Sequence, residues 1–536
     1  MIKRKTLFYC AGLAAVLYAA FVVFDRPISL PGVHKGVEET SYGAFLANQH
    51  AIYINDFTAA AKFSEKISDS SFDVVTRTKI LSDFLGGKLP ENAKNLKDQT
   101  DTASRIIYDA YLAKNKNWDA LYARHKANKS TVYAPLRIWS AIGKDRKTET
   151  LKYIDSGESN PSWKSFVRGQ IYAYYGDDAH AAEEFAKVKT DFMNINDYMY
   201  IMSFYAAHNM QDKANKLRQD FSSGAGGMFM ADFDNIPEWS SFQGIQNSMA
   251  FNLIQNVSHT QIMLYSDLSI LMLRFAQIIG PEAQFFQNAI NYYIGQFMAN
   301  THGNSAAYLD KIDTDSPFYL FAKMKRAASD NSIQEMQDIL QHQPLFMPAL
   351  NKLVAFYTGQ GNKRTALRTI NKALKNKQLS EAGRAHLLKR RALVHLLFDD
   401  LKHAQADIHS ASKTLTKDGE ILMIQARIWA AQNREIENAY DYAMQLVKHD
   451  PTDVLAWDTV AVVVAVREGN DAALEILEKI GKSARTCSGL FEHLGDAYVT
   501  AGDTARAAAA YKHAISLADD GFSVIPKINK KLRKMK

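Results

Sequence analysis

The chain has 536 residues, 47% of them hydrophobic and 23% charged, with only 12 prolines; it is too apolar for a disordered chain and too long for a single core, so it requires several packed units. The formal charge of +7 sits at the ends: six Lys or Arg fall in the last ten residues, and without these and Lys3, Arg4 and Lys5 the body carries −2. That excludes a general basic surface able to follow a phosphate backbone, and no nucleic-acid partner is expected.

Lys3, Arg4 and Lys5 precede an uncharged stretch from Thr6 to Phe24, which ends at Asp25-Arg26-Pro27. As a helix this stretch spans roughly 28 Å, about the thickness of the hydrocarbon core. Residues 1–25 are therefore predicted to be a basic cluster and a single signal-anchor transmembrane helix, with 26–40 as linker. The basic cluster before the span places the bulk of the chain on the non-cytoplasmic side, which in a bacterium is the periplasmic face of the inner membrane. The alternative is a signal peptide whose cleavage releases the chain to the periplasm, although no A-x-A site closes the stretch. Cys10 follows bulky Phe8 and Tyr9, which rules out a lipobox, and Cys487 stands alone in the remainder, so no intrachain disulfide is expected.

Residues 41–221 are predicted to be helical. Gly169, Tyr172, Gly176, Ala181, Phe185 and Val188 mark a helix pair, and Ile201, Tyr205 and Ala214 mark another one repeat later. Fainter echoes are Ala51, Asn55, Ala60 and Ile67, and Tyr108, Tyr111, Ala120 and Ala127. In 222–240 glycines cluster and periodicity lapses, which predicts a break between two superhelical segments. In 241–345 two apolar helices are parted by Gly280-Pro281. Asp267, Arg274 and Glu282 interrupt them, so no run approaches the ~20 residues of a membrane span, and the segment is read as solenoid interior.

Residues 346–518 carry the clearest signal. Ala439, Ala473 and Ala507 fall at intervals of 34 residues, and around the last of them stand Phe491, Leu494, Gly495, Tyr498, Gly502, Tyr511 and Ala514. The preceding unit has Trp457, Ala461, Val464, Leu477 and Ile480, with its turn glycine displaced by one residue to Gly469. Earlier units carry Ala426, Ala430 and Ala443, then Ala392, Ala404 and Ile408, then Leu353, Tyr357, Gly361, Ala366 and Ile370. Five units thus fill 348–517. The β-branched run Val460–Val466 lies in helical register and is read as helix against its propensity. A small residue and an aromatic on a first helix, a turn glycine, then alanine and an aromatic on a second helix resemble the tetratricopeptide repeat. The resemblance implies an all-α solenoid of helix-turn-helix units behind the N-terminal transmembrane helix. Two antiparallel helices are expected to approach where Gly495 meets Ala507, with Tyr498 and Tyr511 filling the gaps. Residues 519–536 form a basic tail, read either as a solvated helix end or as a contact for a membrane surface or acidic partner.

Catalytic chemistry is not evident. No glycine-rich phosphate loop, nucleophile elbow or H-E-x-x-H helix is present. His386, His395, His403 and His409 are spaced by 9, 8 and 6, so none form the i,i+4 pair that places two ligands on one helix face. Asp399-Asp400 falls at a turn and helix start, which predicts a cap. No cofactor, no metal and no enzymatic activity are expected.

What remains is the concave face, which the resemblance assigns to the first helix of each unit. Helical spacing picks out Leu393, Leu396 and Leu397, then Ile424 and Ile428, then Val462 and Val466, then Val499 as the partner-binding groove, accompanied by Lys389, Ala431, Asp458, Ala465, Glu492 and Asp496. A mostly apolar floor suits an amphipathic helix or an extended apolar segment of a protein partner. The competing reading fills the groove with the chain's own terminal helix or neighbouring segments. The order of anchor, "YGAFLANQHAIYINDFTAAAKF", a degenerate middle with "KIDTDSPFYLFAKMKRA", and the C-terminal repeats is similar to the long tetratricopeptide-repeat proteins of alphaproteobacterial envelopes. The function expected is a membrane-anchored adaptor joining protein partners at the periplasmic face of the inner membrane. The alternative is a periplasmic chaperone or assembly factor holding apolar segments of envelope clients.

Overall fold

The computed structural model of the protein describes residues 41–535 other than 68–72, 158, 191, 224–235, 260–266, 302, 330–331, 378, 417, 483 and 485–486. The expected transmembrane stretch Thr6–Phe24 lies outside the described residues, and no helix among those described is long and apolar enough to cross a membrane. Every regular element among them is a helix.

In the N-terminal half, α1 (Ser41–Tyr53) pairs with α2 (Phe57–Ser64), and α3 (Asp73–Leu85) follows alone. Four further pairs are α4 (Thr102–Lys114) with α5 (Trp118–His125), α6 (Ala134–Ile142) with α7 (Lys147–Ser156), α8 (Pro161–Tyr174) with α9 (Asp178–Ala186), and α10 (Ile195–Ala207) with α11 (Gln211–Ser223). The connecting segment comprises α12 (Ile245–His259), α13 (Asp267–Ile279), α14 (Gln284–Asn300), the short α15 (Ala306–Leu309), α16 (Tyr319–Ser329) and α17 (Ile333–His342). The C-terminal pairs are α18 (Met347–Gly359) with α19 (Lys363–Leu374), α20 (Glu381–Leu397) with α21 (Leu401–Ser412), α22 (Gly419–Ala431) with α23 (Ile436–His449), α24 (Val454–Arg467) with α25 (Asn470–Gly481), and α26 (Ser488–Thr500) with α27 (Thr504–Leu517). A last helix, α28 (Ile525–Lys534), closes the chain. The run Val460–Val466 lies inside α24, where burial of Val460, Val463 and Val464 outweighs β propensity.

One turn recurs through both halves. A residue in left-handed backbone ends the first helix, and at five of these turns an Asp or Asn then caps the second. Gly176, Gly361 and Gly502 hold φ of 71°, 79° and 80°. Where the pattern lacks a turn glycine, Asn55, Lys116, Asp145, Asn209, Asp399 and Asn433 take the same conformation at φ of 49° to 60°. Asp56, Asn117, Asp177, Asn362 and Asp503 follow, each accepting from the backbone N–H three residues on. The pair α6–α7 was not anticipated: Asp145 follows Lys116 by 29 residues, which breaks the 34-residue register.

The pairs close over small residues. Ala181, Ala366, Ala404, Ala439, Ala473 and Ala507 are all buried. Gly495, however, makes room for the ring of Tyr511: a Cβ at Gly495 would lie 2.5 Å from two of its ring carbons. Gly169 does the same for Phe185 at 2.4 Å.

The first helices of the N-terminal pairs face α12 and α13. Lys114 Nζ donates to the Ile278 carbonyl (2.7 Å), Trp139 Nε1 to Asn252 Oδ1 (3.2 Å), Asn252 Nδ2 to Gln170 Oε1 (2.9 Å), and Gln255 Nε2 to Asp197 Oδ1 (2.7 Å). These bonds reach α4, α6, α8 and α10 in turn, so α12 and α13 run along the face that those first helices present. Asn252 bonds Trp139 and Gln170 there, and Gln255 bonds Asp197, which fixes the register of the insert.

Candidate functional site: the concave face of the C-terminal pairs

The first helices α20, α22, α24 and α26 bound a cavity of about 600 Å³. Its lining joins Leu393, Leu396 and Leu397 with Ala431 and Val462, and polar groups come from Arg427, Glu492, His493 and Asp496. The remaining wall is the chain's own C-terminus.

After α27 the backbone crosses from the last pair to the first. Ala518 is buried, and its carbonyl sits 2.5 Å from where a Cβ on Gly359 would lie. Gly521, at φ 79°, lies so close to Ala355 that an added Cβ would stand 2.7 Å from that residue's Cβ; only glycine fits both the angle and the approach. The backbone N–H and Oγ of Ser488 both donate to Asp520, each at 2.6 Å. Ser523 and Val524 are buried, and Phe522 packs with the cluster that contains Leu393 and Ile408.

Helix α28 then lies at the mouth of the cavity with Lys527, Lys530, Lys531 and Lys534 facing it. Lys527 pairs with Asp399 at 2.5 Å, and Lys531 with Glu492 at 2.8 Å and Asp496 at 2.7 Å. Ile528 is fully buried in the apolar cluster of the last pair, which also holds Phe491, Leu494 and Tyr511. Burial opposes charge on Lys531, but the two carboxylates outweigh it and raise its pKa. The basic tail is thus not wholly solvated: its amphipathic helix buries Ile528 and pairs Lys527 and Lys531 with acids on α26 and the α20–α21 turn, while Lys530, Arg533 and Lys534 stay exposed.

The expected groove residues separate into three sets. Leu393, Leu396, Leu397 and Val462 line the cavity, Leu393 as a buried part of its floor. Ile424 and Ile428 do not; both are 0% exposed, in one cluster with Ala404 and Ile408 of α21. On α22 the positions facing the cavity are Arg427 and Ala431, while Ile424 and Ile428 pack with the preceding pair and not into the groove. Val466 and Val499, 41% and 43% exposed, lie outside the cavity lining.

Beneath the groove is a buried polar network whose full extent the sequence did not reveal. Arg427 Nη2 donates to Asp458 Oδ2 (2.7 Å) and its Nε to Thr459 Oγ1 (3.0 Å), while His493 Nδ1 meets Asp458 Oδ1 at 2.8 Å. Asp458 has no exposure at all. Burial disfavours its charge, but His493 and Arg427 overcome that and lower its pKa. For His493 burial likewise works against protonation, and the Asp458 carboxylate wins, raising its pKa. The signal that could have exposed this network is its spacing of roughly one repeat between Arg427, Asp458 and His493.

The Asp399–Asp400 turn also differs from expectation. Asp399 takes the left-handed position, and Asp400 stands at the N-cap position of α21 without capping it. Its carboxylate meets His395 Nδ1 (3.0 Å), His403 Nδ1 (2.7 Å) and Lys363 Nζ (3.0 Å), which hold it well below the usual carboxylate range. His395, Asp400 and His403 place their donor atoms within 4.8 Å of one another. Lys363 already meets that carboxylate, so a metal cation would have to displace it.

No protein-family model and no curated protein matches the chain. Similar solved structures include a tetratricopeptide repeat protein from Parabacteroides merdae, 14% identical over 55% of this chain and 99% of that one, with a TM-score of 0.30. Another is the APC/C hetero-tetramer Cut9–Hcn1, 13% identical over 92% and 96% with a TM-score of 0.33, and yeast Tom70 is 9% identical over 92% and 95% with a TM-score of 0.29. Overlap at this level adds nothing to the repeat spacing, the recurrent left-handed turn and the helix-pair packing, which stand on the chain's own residues. By those features the chain has an all-α, tetratricopeptide-repeat-like solenoid fold.

Proposed function

We propose that the chain is a non-catalytic scaffold that binds protein partners on the concave face of 347–517, and that Thr6–Phe24 anchors it in the bacterial inner membrane with the array on the periplasmic side. The observation that supports the first part is the cavity itself, where apolar Leu396, Leu397 and Val462 stand beside Glu492 and Asp496. An apolar strip with charged flanks is the surface on which an amphipathic helix docks. The anchor reading rests on the basic cluster and apolar stretch of the sequence.

Crosslinking and pull-down from membranes, comparing the parent with a Leu397→Glu/Val462→Glu variant, tests the scaffold. A few stoichiometric partners should be recovered with the parent and lost with the variant, whose melting curve should stay close to that of the parent because both side chains border open space. The same partners on both chains would remove the groove from the account. For the anchor, a periplasm-dependent reporter fused after Lys536 should be active, and the protein should resist extraction by high salt. Release of full-length protein by salt would end the anchor reading.

A further inference from the structure

We propose that α28 is a resident place-holder in the concave groove, and that the partner of this groove is a protein bearing a basic amphipathic helix that takes the seat of α28 on binding. This rests on the scaffold reading and adds to it the chemistry of the partner and the gate it must open.

The two parts of the C-terminal segment are held differently. Residues 518–526 are locked into the array: Ala518, Ser523 and Val524 are buried, Gly521 fits against Ala355, and Pro526 fills the space beside Gly361. Beyond Pro526 the helix offers one wholly buried side chain, Ile528. Its other anchors are the half-buried Leu532 and Met535, which pack on the same cluster, and the Lys527 and Lys531 ion pairs, in which about a third of each lysine side chain and 80% of Asp399 are exposed but only 13% of Glu492. The Lys527–Asp399 pair, open to water on both sides, holds weakly. The junction between a braced strap and a loosely held helix is where release costs least.

The seat also states what it selects. An apolar hole for Ile528 is flanked by Asp399 on one side and by Glu492 and Asp496, one turn apart on α26, on the other. A guest helix must therefore present an apolar residue with a cation beside it and another one turn on, as Lys527, Ile528 and Lys531 do. An acidic helix would set like charges against all three carboxylates.

The test uses a fluorescent peptide of residues 525–536, IPKINKKLRKMK, titrated by anisotropy into the full chain and into the chain ended at Pro526. Removing the tethered competitor should tighten peptide binding by about tenfold or more. Peptides carrying Ile528→Asp, or Lys527→Glu with Lys531→Glu, should fail to bind the shortened chain. Should the shortened chain misfold, a full-length Lys527→Glu/Lys531→Glu variant, which keeps Ile528 and the strap, should also gain peptide binding. Equal binding by parent and released chains overturns the proposal. So does preference of the full chain for the charge-reversed peptide, which would make the α28 lysines a clamp for an acidic partner. Groove-dependent capture of partners from membranes without peptide binding would reject this inference and leave the scaffold standing, whereas loss of both would remove the scaffold as well.

Discussion

Gly495→Ala places a methyl group where a ring already sits. The new Cβ would stand 2.5 Å from Cδ1 and Cε1 of Tyr511 and 3.0 Å from Cζ. Tyr511 cannot easily tilt away, because it is buried and its hydroxyl donates to Asp496 at 2.6 Å. On propensity alone, alanine within a helix gains about 0.5–1 kcal/mol over glycine. Overpacking costs about 1–3 kcal/mol, so the clash decides the sign and the variant should lose about 1–2 kcal/mol, more if the Tyr511 bond breaks. Gly169→Ala should lose a similar amount, since its Cβ would meet the Phe185 ring at 2.4 Å. Gly481→Ala is the control: its Cβ would meet Leu494 at 3.5 Å, an ordinary contact, and it should be neutral or gain up to about 1 kcal/mol. Urea unfolding followed by circular dichroism gives all three. If Gly495→Ala proved as stable as the parent, the claim that these repeats close by threading an aromatic ring over a glycine would be wrong.

Ile428→Asp should destabilise the array by roughly 3–5 kcal/mol, because it buries a charge with no partner, while Val499→Asp, at an exposed position, should stay within about 0.5 kcal/mol; matching melting curves for the two would place Ile428 outside the core. Asp458→Asn leaves Arg427 buried without its carboxylate and should cost about 3–5 kcal/mol, read from the urea midpoint; a neutral result would remove the network from the account. His493 gains protonation in the folded state through Asp458. Its contribution should therefore be full below its unfolded value near 6.5 and disappear as pH rises through the folded value. The stability gap between the parent and His493→Gln should shrink with rising pH, and a gap that widens would reverse the assignment.

The repeats were legible in the C-terminal half because they show their glycines and alanines at a fixed interval. In the N-terminal half Lys116, Asp145 and Asn209 do the work of turn glycine; a lysine gives no turn signal in a sequence, and Asp and Asn, which take left-handed backbone occasionally, give a weaker one than glycine. At one of these turns a better marker was the residue that follows, since Asn117 caps the second helix after Lys116, but Arg146 and Met210 follow Asp145 and Asn209. The concave face was partly legible. Leu396, Leu397 and Val462 line the cavity, but α22 has apolar residues on more than one face, and helical spacing alone could not decide whether Ile428 or Arg427 looks into the groove. Arg427 lies in the interior because Asp458 and Thr459 from the next repeat satisfy it there. The occupant was the least legible part. Composition marked 527–536 as basic, yet its destination depends on Gly359 and Gly361, which admit the strap across the first pair, and on Gly521, far from both in sequence.

The central claim is that the concave face is a protein-binding groove now filled by the chain's own last helix. A photo-crosslinking amino acid at Leu397, in the cavity wall opposite the α28 lysines, tests it with one mass-spectrometric map. In the full chain the crosslink should run within the molecule to residues 525–535. In the chain ended at Pro526 it should move to the added 525–536 peptide at the same site. A full chain that crosslinks only to solvent or to its neighbouring helices, and a shortened chain that ignores the peptide, would contradict the claim.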